Sequence, residues 1–191
     1  MSGPFKRPVR RSPEDDERIT QLYQDTNKAV LAFLLRRCAT AEDAADCLAE
    51  TYRIAWQNRN RVPPGQEARG WVFGIARNVA RAEWRSSERR SATSQALALA
   101  AETWYAATTA EHSRLADALA ELSPIDQEIV MMLSADGLAP REVAAALKLS
   151  PNVVRVRAHR ARATLRRRLA EADPDSADPA DRPAITTSHG G

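Results

Sequence analysis

Arg155, His159, Arg162 and Arg166 recur at intervals of four, three and four residues, so on an α-helix they share one stripe. Arg157, Arg160, Arg167 and Arg168 thicken it, and no acidic residue interrupts the stretch between Glu142 and Glu171. A guanidinium is a permanently charged planar fork that matches phosphate and the acceptor edge of guanine. A helix loaded in this way fits the major groove, with its early residues at base edges and its later arginines on phosphates. Charge runs alone are common on solvated helices, so the decision rests on what surrounds this one.

The surrounding residues form a positioning device. Pro140 suits a first helical position, and Val143, Ala144 and Leu147 give a short helix an apolar face. Lys148 and Leu149 make the turn, then Ser150 and Pro151 supply an N-cap and first residue for the next helix. Val154, Ala158, Ala161 and Leu165 form its single buried stripe. Two capped helices, a tight turn and one apolar stripe each make a helix-turn-helix that reads DNA. Ahead of it, Leu115, Ala118, Leu119 and Leu122 open the unit, and Ser123-Pro124 starts a helix through Ile129 and Leu133 that Gly137 can close.

Two more helix faces carry chemistry. In a helix capped by Thr40 and Asp43, the residues Ala44, Cys47, Leu48 and Ala55 face inward, while Asp43, Asp46, Glu50 and Arg53 form an acidic outer stripe. After the breaker Val62-Pro63-Pro64-Gly65, a helix with Trp71, Ile75, Val79 and Ala82 on one side shows Arg77, Arg81, Trp84 and Arg85 on another. Positive charge interleaved with an aromatic plane suits unstacked bases and their backbone. Helical phase assigns Trp71 and Phe73 to the core instead. An earlier helix from Glu14 is marked by Ile19, Leu22, Tyr23, Ala29, Val30, Phe33 and Leu34, with acids at its start.

The chain has 191 residues, 43% of them hydrophobic, a net charge of +3 and lysine only at positions 6, 28 and 148. That suffices for real cores, and it places the importance of charge in clustering rather than in the sum. Cys38 and Cys47 form no C-x-x-C pair with a nearby His, so they read as buried thiols rather than zinc ligands. No signal peptide and no run near the ~20 apolar residues of a membrane span is present, which implies a cytoplasmic protein. His112, His159 and His189 lack a paired nucleophile or carboxylate at a useful spacing, and no Gly-rich phosphate loop exists, which argues against an enzyme. No cofactor or metal is expected.

The pattern predicts an all-α chain without strands: a tail at 1–13, a helical unit at 14–90, a linker at 91–111, a second helical unit at 112–172 and a tail at 173–191. The tails and linker are rich in small, polar and Pro residues that bury too little to order themselves.

Three motifs, DAADCLAETYRIAWQ (43–57), RGWVFGIARNVARAEWR (69–85) and the helix-turn-helix with LSPIDQEIVMMLSADGLAPREVAAAL before it, resemble a family. They are similar to bacterial RNA polymerase sigma factors of the small, two-domain extracytoplasmic-function type. The resemblance implies that the first unit, sigma region 2, docks on core polymerase and melts the −10 promoter element, and that the second, sigma region 4, reads the −35 element. It implies as partners core RNA polymerase, through the β′ clamp coiled coil and the β flap, promoter DNA and an anti-sigma factor.

Carried onto this chain, polymerase contacts fall on Asp43, Asp46, Glu50 and Thr51. The −10 contacts fall on Arg77, Asn78, Arg81, Trp84 and Arg85, with Asn78 offering both donor and acceptor to an extruded base. The −35 contacts fall on Arg155, Val156, Arg157, His159, Arg160 and Arg162. The chain departs from the family at Ala49, usually a polar residue such as Gln, at Lys148, often Gly, and at Asn152 and Val153, usually small. The alternative is a helix-turn-helix repressor or activator that is no polymerase subunit. In such a protein the acidic face and the basic, tryptophan-bearing helix would have no evident role.

Overall fold

A computed structural model describes residues 12–91 and 110–171. Both tails and the linker lie almost wholly outside the described residues. Among these residues, seven α-helices and one 3-10 turn follow in order: α1 (Pro13–Leu35), α2 (Ala41–Gln57), the turn Arg59–Arg61, α3 (Glu67–Ser91), α4 (Ala110–Ala120), α5 (Pro124–Ser134), α6 (Pro140–Leu147) and α7 (Pro151–Glu171). No strand occurs among the described residues.

Local chemistry sets the ends. Ser12 accepts the Glu14 N–H at 3.3 Å, and Thr40 accepts the Asp43 N–H at 3.0 Å, so each hydroxyl takes up a donor that its helix leaves unpaired. α1 therefore begins one residue before Glu14, with Pro13 as its first residue.

The first unit is α1 to α3. Phe33 of α1 and Phe73 of α3 meet edge to face with centroids 5.3 Å apart, and both are fully buried. Burying such a side chain stabilises by about 1.5–3 kcal/mol. Thr26 and Tyr52 tie α1 to α2 through their hydroxyls at 2.8 Å. In the second unit, Val154, Ala158, Ala161 and Leu165 are buried as the sequence predicts, and they hold α7 against α4, α5 and α6.

The third helix differs from its sequence reading. Its buried apolar side chains are Val72, Phe73, Ala76 and Ala80, whereas Trp71, Ile75 and Val79 are half-buried and Ala82 is exposed. The reason is that α3 is covered on two sides, by α1 and α2 and by α6, so no single stripe describes it.

That second cover joins the two units. Gly70 and Gly74 lie against the backbone of α6 at Glu142 and Ala146. A Cβ on Gly74 would stand 2.9 Å from the Ala146 carbonyl oxygen, so glycine is what lets the backbones approach. Ile129, Met132, Leu138 and Val143 consequently share one buried cluster with Phe33 and Phe73. A smaller cluster of Ala118, Leu119, Leu122, Val130, Ala161 and Leu165 lies inside the second unit.

Candidate nucleic-acid and polymerase interfaces

The helix-turn-helix is built on a strained turn. Lys148 ends α6 with φ 56° and ψ 41°, and it is the non-glycine residue with positive φ among the described residues. In that conformation the Leu149 N–H reaches the Ala144 carbonyl at 2.9 Å, which satisfies a helix-end acceptor. Two residues on, Ser150 accepts the Val153 N–H at 3.3 Å and starts α7. At the other end of α6, the Glu142 carboxylate accepts the Ala139 N–H at 2.6 Å.

With the inner stripe of α7 committed to the core, Arg155, Val156, His159, Arg160 and Arg162 all project outward and are exposed. Arg157 is placed differently. Its Nε donates to Asp126 at 2.8 Å and its Nη2 to Ser123 at 3.2 Å, so it pins α7 to the start of α5. Arg168 is likewise engaged, by Glu121 at 2.6 Å and Glu171 at 3.1 Å, while Arg167 is exposed.

On α2, Asp46 is exposed and Glu50 forms two 2.6 Å hydrogen bonds with Arg53, whose guanidinium holds the Glu50 carboxyl below its ordinary pKa. Asp43 accepts from the Thr40 hydroxyl at 2.7 Å as part of the cap. Thr51 corrects the expectation of a polymerase contact: it is fully buried, and its hydroxyl donates to the Cys47 carbonyl at 2.7 Å. Its spacing of four from both Cys47 and Ala55 puts it on the inward face. Trp56, not singled out from the sequence, is 45% exposed and lies about one turn beyond Arg53. Arg59 stacks over its ring, with the guanidinium 5.0 Å from the centroid. The interval of three from Arg53 was the available signal.

α3 brings Asn78, Arg81, Trp84 and Arg85 together on its solvent side, with Trp84 51% exposed. Arg77 stands apart from them. It is half-buried and forms a bidentate pair with Glu128 of α5, in which Nη2 lies 2.6 Å from Oε2.

Cys47 is buried and Cys38 half-buried, both as free thiols. Burial pushes the Cys47 thiol up to about 12, and burial raises Cys38 too. No metal-binding cluster and no helix long and apolar enough to cross a membrane occurs among the described residues.

Family models for sigma-70 region 2 and sigma-70 region 4 match residues 22–90 and 112–165. The chain is 31% identical over 145 residues to the RNA polymerase sigma factor CarQ of Myxococcus xanthus, covering 74% of this chain and 83% of that protein. It is 29% identical over 155 residues to the ECF RNA polymerase sigma factor SigL of Mycobacterium tuberculosis, covering 78% and 88%. Among solved structures it resembles CnrH, in complex with the cytosolic domain of CnrY, with TM-score 0.55, 25% identity and coverage of 83% and 91%. It shares the fold of the sigma factor RpoE, in complex with the anti-sigma factor NepR from Bartonella quintana, with TM-score 0.55, 21% identity and coverage of 82% and 99%. The matched regions are the two helical units whose acidic, basic-aromatic and arginine-rich faces are described above, and the chain belongs to the RNA polymerase sigma factors of extracytoplasmic-function type.

Proposed function

We propose a division of labour among three helix faces in promoter-specific initiation. The outer stripe of α2, with Asp43, Asp46 and Glu50 joined by Trp56, docks on a basic coiled coil of the polymerase β′ clamp through charge-assisted pairs around an aromatic anchor. The solvent side of α3, with Asn78, Arg81, Trp84 and Arg85, takes up unstacked bases of the −10 element. The outer face of α7, with Arg155, Val156, His159, Arg160 and Arg162, enters the major groove of the −35 element.

The observation that carries this reading is the sorting of α7. Its apolar stripe is buried to the last member, so a continuous basic face, free of acids between Glu142 and Glu171, is left for DNA. The same reading makes the protein a regulatory DNA-binding subunit of the cytoplasm rather than an enzyme. Contact with the polymerase β flap and control by an anti-sigma factor belong to it as well, the latter supported by the complexes that its structural neighbours form. A repressor would bind its operator unaided, whereas each face here is small and should bind weakly alone. Run-off transcription with core polymerase tests the proposal: specific initiation with core present and weak promoter binding without it are expected. Tight, specific binding by the free protein would overturn it.

A further inference from the structure

Among the described residues, four ion pairs that cross between the two units share one polarity. Arg36 and Arg37 of the first unit close on the carboxylate of Asp136, with Arg36 Nε 3.1 Å from Oδ1 and Arg37 Nη2 2.9 Å from Oδ2. Arg69 donates to Glu142 at 3.0 Å, and Arg77 pairs with Glu128. In each case the arginine comes from α1, its C-terminal end or α3, and the acid from the second unit. The Asp136 side chain has no solvent exposure, and the others are at most about one-third exposed on either partner (31% for Arg69).

Three carboxylates set against four guanidiniums reproduce the pairing that arginines make with a nucleic-acid backbone, in which anionic oxygens accept from planar forks. The closed arrangement also excludes simultaneous reading of both promoter elements. Elements centred about 25 base pairs apart lie on the order of 85 Å from one another at 3.4 Å per step, whereas α3 and α6 here touch backbone to backbone. The units must part before both can bind.

We propose that parting uncovers a phosphate-binding face on the first unit, made by Arg36, Arg37 and Arg69 beside Arg77, and that Glu128, Asp136 and Glu142 occupy this face in the closed chain as stand-ins for DNA phosphates. Closure then masks DNA binding by direct competition for the same guanidiniums. The inference rests on the reading that the first unit meets promoter DNA, and it adds to that reading three arginines outside the face of α3 already assigned.

The test uses the full chain. Gly70→Ala combined with Gly74→Ala adds methyl groups where α6 approaches α3 and leaves every charge in place. Small-angle scattering should show an expanded molecule. Its affinity for a fluorescein-labelled DNA duplex should rise roughly tenfold, as expected when a largely closed population is released. The salt dependence should steepen by about one unit per arginine engaged. Adding Arg36→Ala, Arg37→Ala and Arg69→Ala to the opened chain should remove about three of those units. An expanded chain with unchanged affinity and slope, or arginine removal without effect, overturns the masking. An unexpanded chain overturns the latch.

If circular dichroism shows the glycine variant unfolded, Glu128→Gln with Asp136→Asn and Glu142→Gln opens the chain from the other side, with the same expectations. Transcription by the wild-type chain with core polymerase separates the two readings. Its absence counts against the promoter role, and its presence with an unaltered salt slope counts against the masking alone.

Discussion

Lys148 closes α6 by donating its backbone N–H to the Ala144 carbonyl while holding a left-handed conformation at φ 56°. A side chain with a Cβ is strained there, and glycine adopts the same conformation without that cost. Lys148→Gly should therefore stabilise the second unit by about 0.5–1 kcal/mol, after the extra freedom of glycine in the unfolded chain is subtracted. Urea unfolding of the two proteins measures it, and a lower midpoint for the glycine variant would show that the turn carries no strain.

Thr51 and Asp46 sit five residues apart on α2 and should fail in different assays. Asp46→Arg reverses an exposed charge, so polymerase assembly should weaken by at least about tenfold with the melting temperature nearly unchanged. Thr51→Val deletes a buried hydroxyl that donates to Cys47, so it should cost about 1 kcal/mol of stability and leave assembly intact. Pull-down with core polymerase beside thermal unfolding separates them. Normal assembly of the Asp46 variant would remove α2 from the docking surface.

Asn78→Ala and Trp84→Ala should impair strand opening more than initial promoter binding, because both side chains are exposed where unpaired bases would be held. Permanganate reactivity of the −10 thymines in the two holoenzymes measures opening. Full reactivity in both would place the melted bases elsewhere.

Arg155→Ala should alter which −35 base is tolerated, at a cost of ~1–3 kcal/mol for the favoured base, whereas Arg167→Ala should lower activity evenly and flatten the salt dependence by about one unit. Transcription from a library of −35 variants compares them. Identical profiles would dissolve the division between reading and gripping along α7.

Stability should fall in alkali. The fold favours the protonated Cys47 thiol, raised from an ordinary 9.0 to about 12, and the protonated Tyr52 hydroxyl, raised from 10.0 to about 12, both mainly by burial. These contributions are whole below the unfolded values and are lost as pH rises through about 9 to 12, because the folded state then binds more protons than the unfolded one. Cys47→Ala should make the decline above pH 9 shallower, with Cys38 and then Tyr52, both also raised by burial, carrying what remains. Urea midpoints between pH 8 and 11 record it, and parallel curves for the two proteins would exclude Cys47 as a cause.

The helices, the caps at Thr40, Ser123 and Ser150, and the exposed faces of α2, α3 and α7 were legible because each follows from helical period or from a short-range hydrogen bond. Thr51 and Trp56 were legible in principle, since spacing alone assigns one inward and the other outward. The α3–α6 contact was not. Gly70 and Gly74 carry no side chain to register in a hydrophobic pattern, and the pairing of Arg36 and Arg37 with Asp136 spans about 100 residues. The carboxylate partners of Arg77 and Arg157 were hidden for the same reason: a guanidinium gives the same signal in the sequence whether a distant carboxylate or a phosphate receives it.

The inner stripe of α7, Val154, Ala158, Ala161 and Leu165, shares no residue with its outer face. Substitutions at Arg155, Val156, His159, Arg160 or Arg162 therefore leave the packing untouched, and typical surface changes of this kind stay within about 0.5 kcal/mol of neutral. A gene duplicate could rewrite its promoter preference one outward residue at a time, each intermediate still folded, so divergence of target sets among such proteins is limited by DNA affinity rather than by the survival of the scaffold.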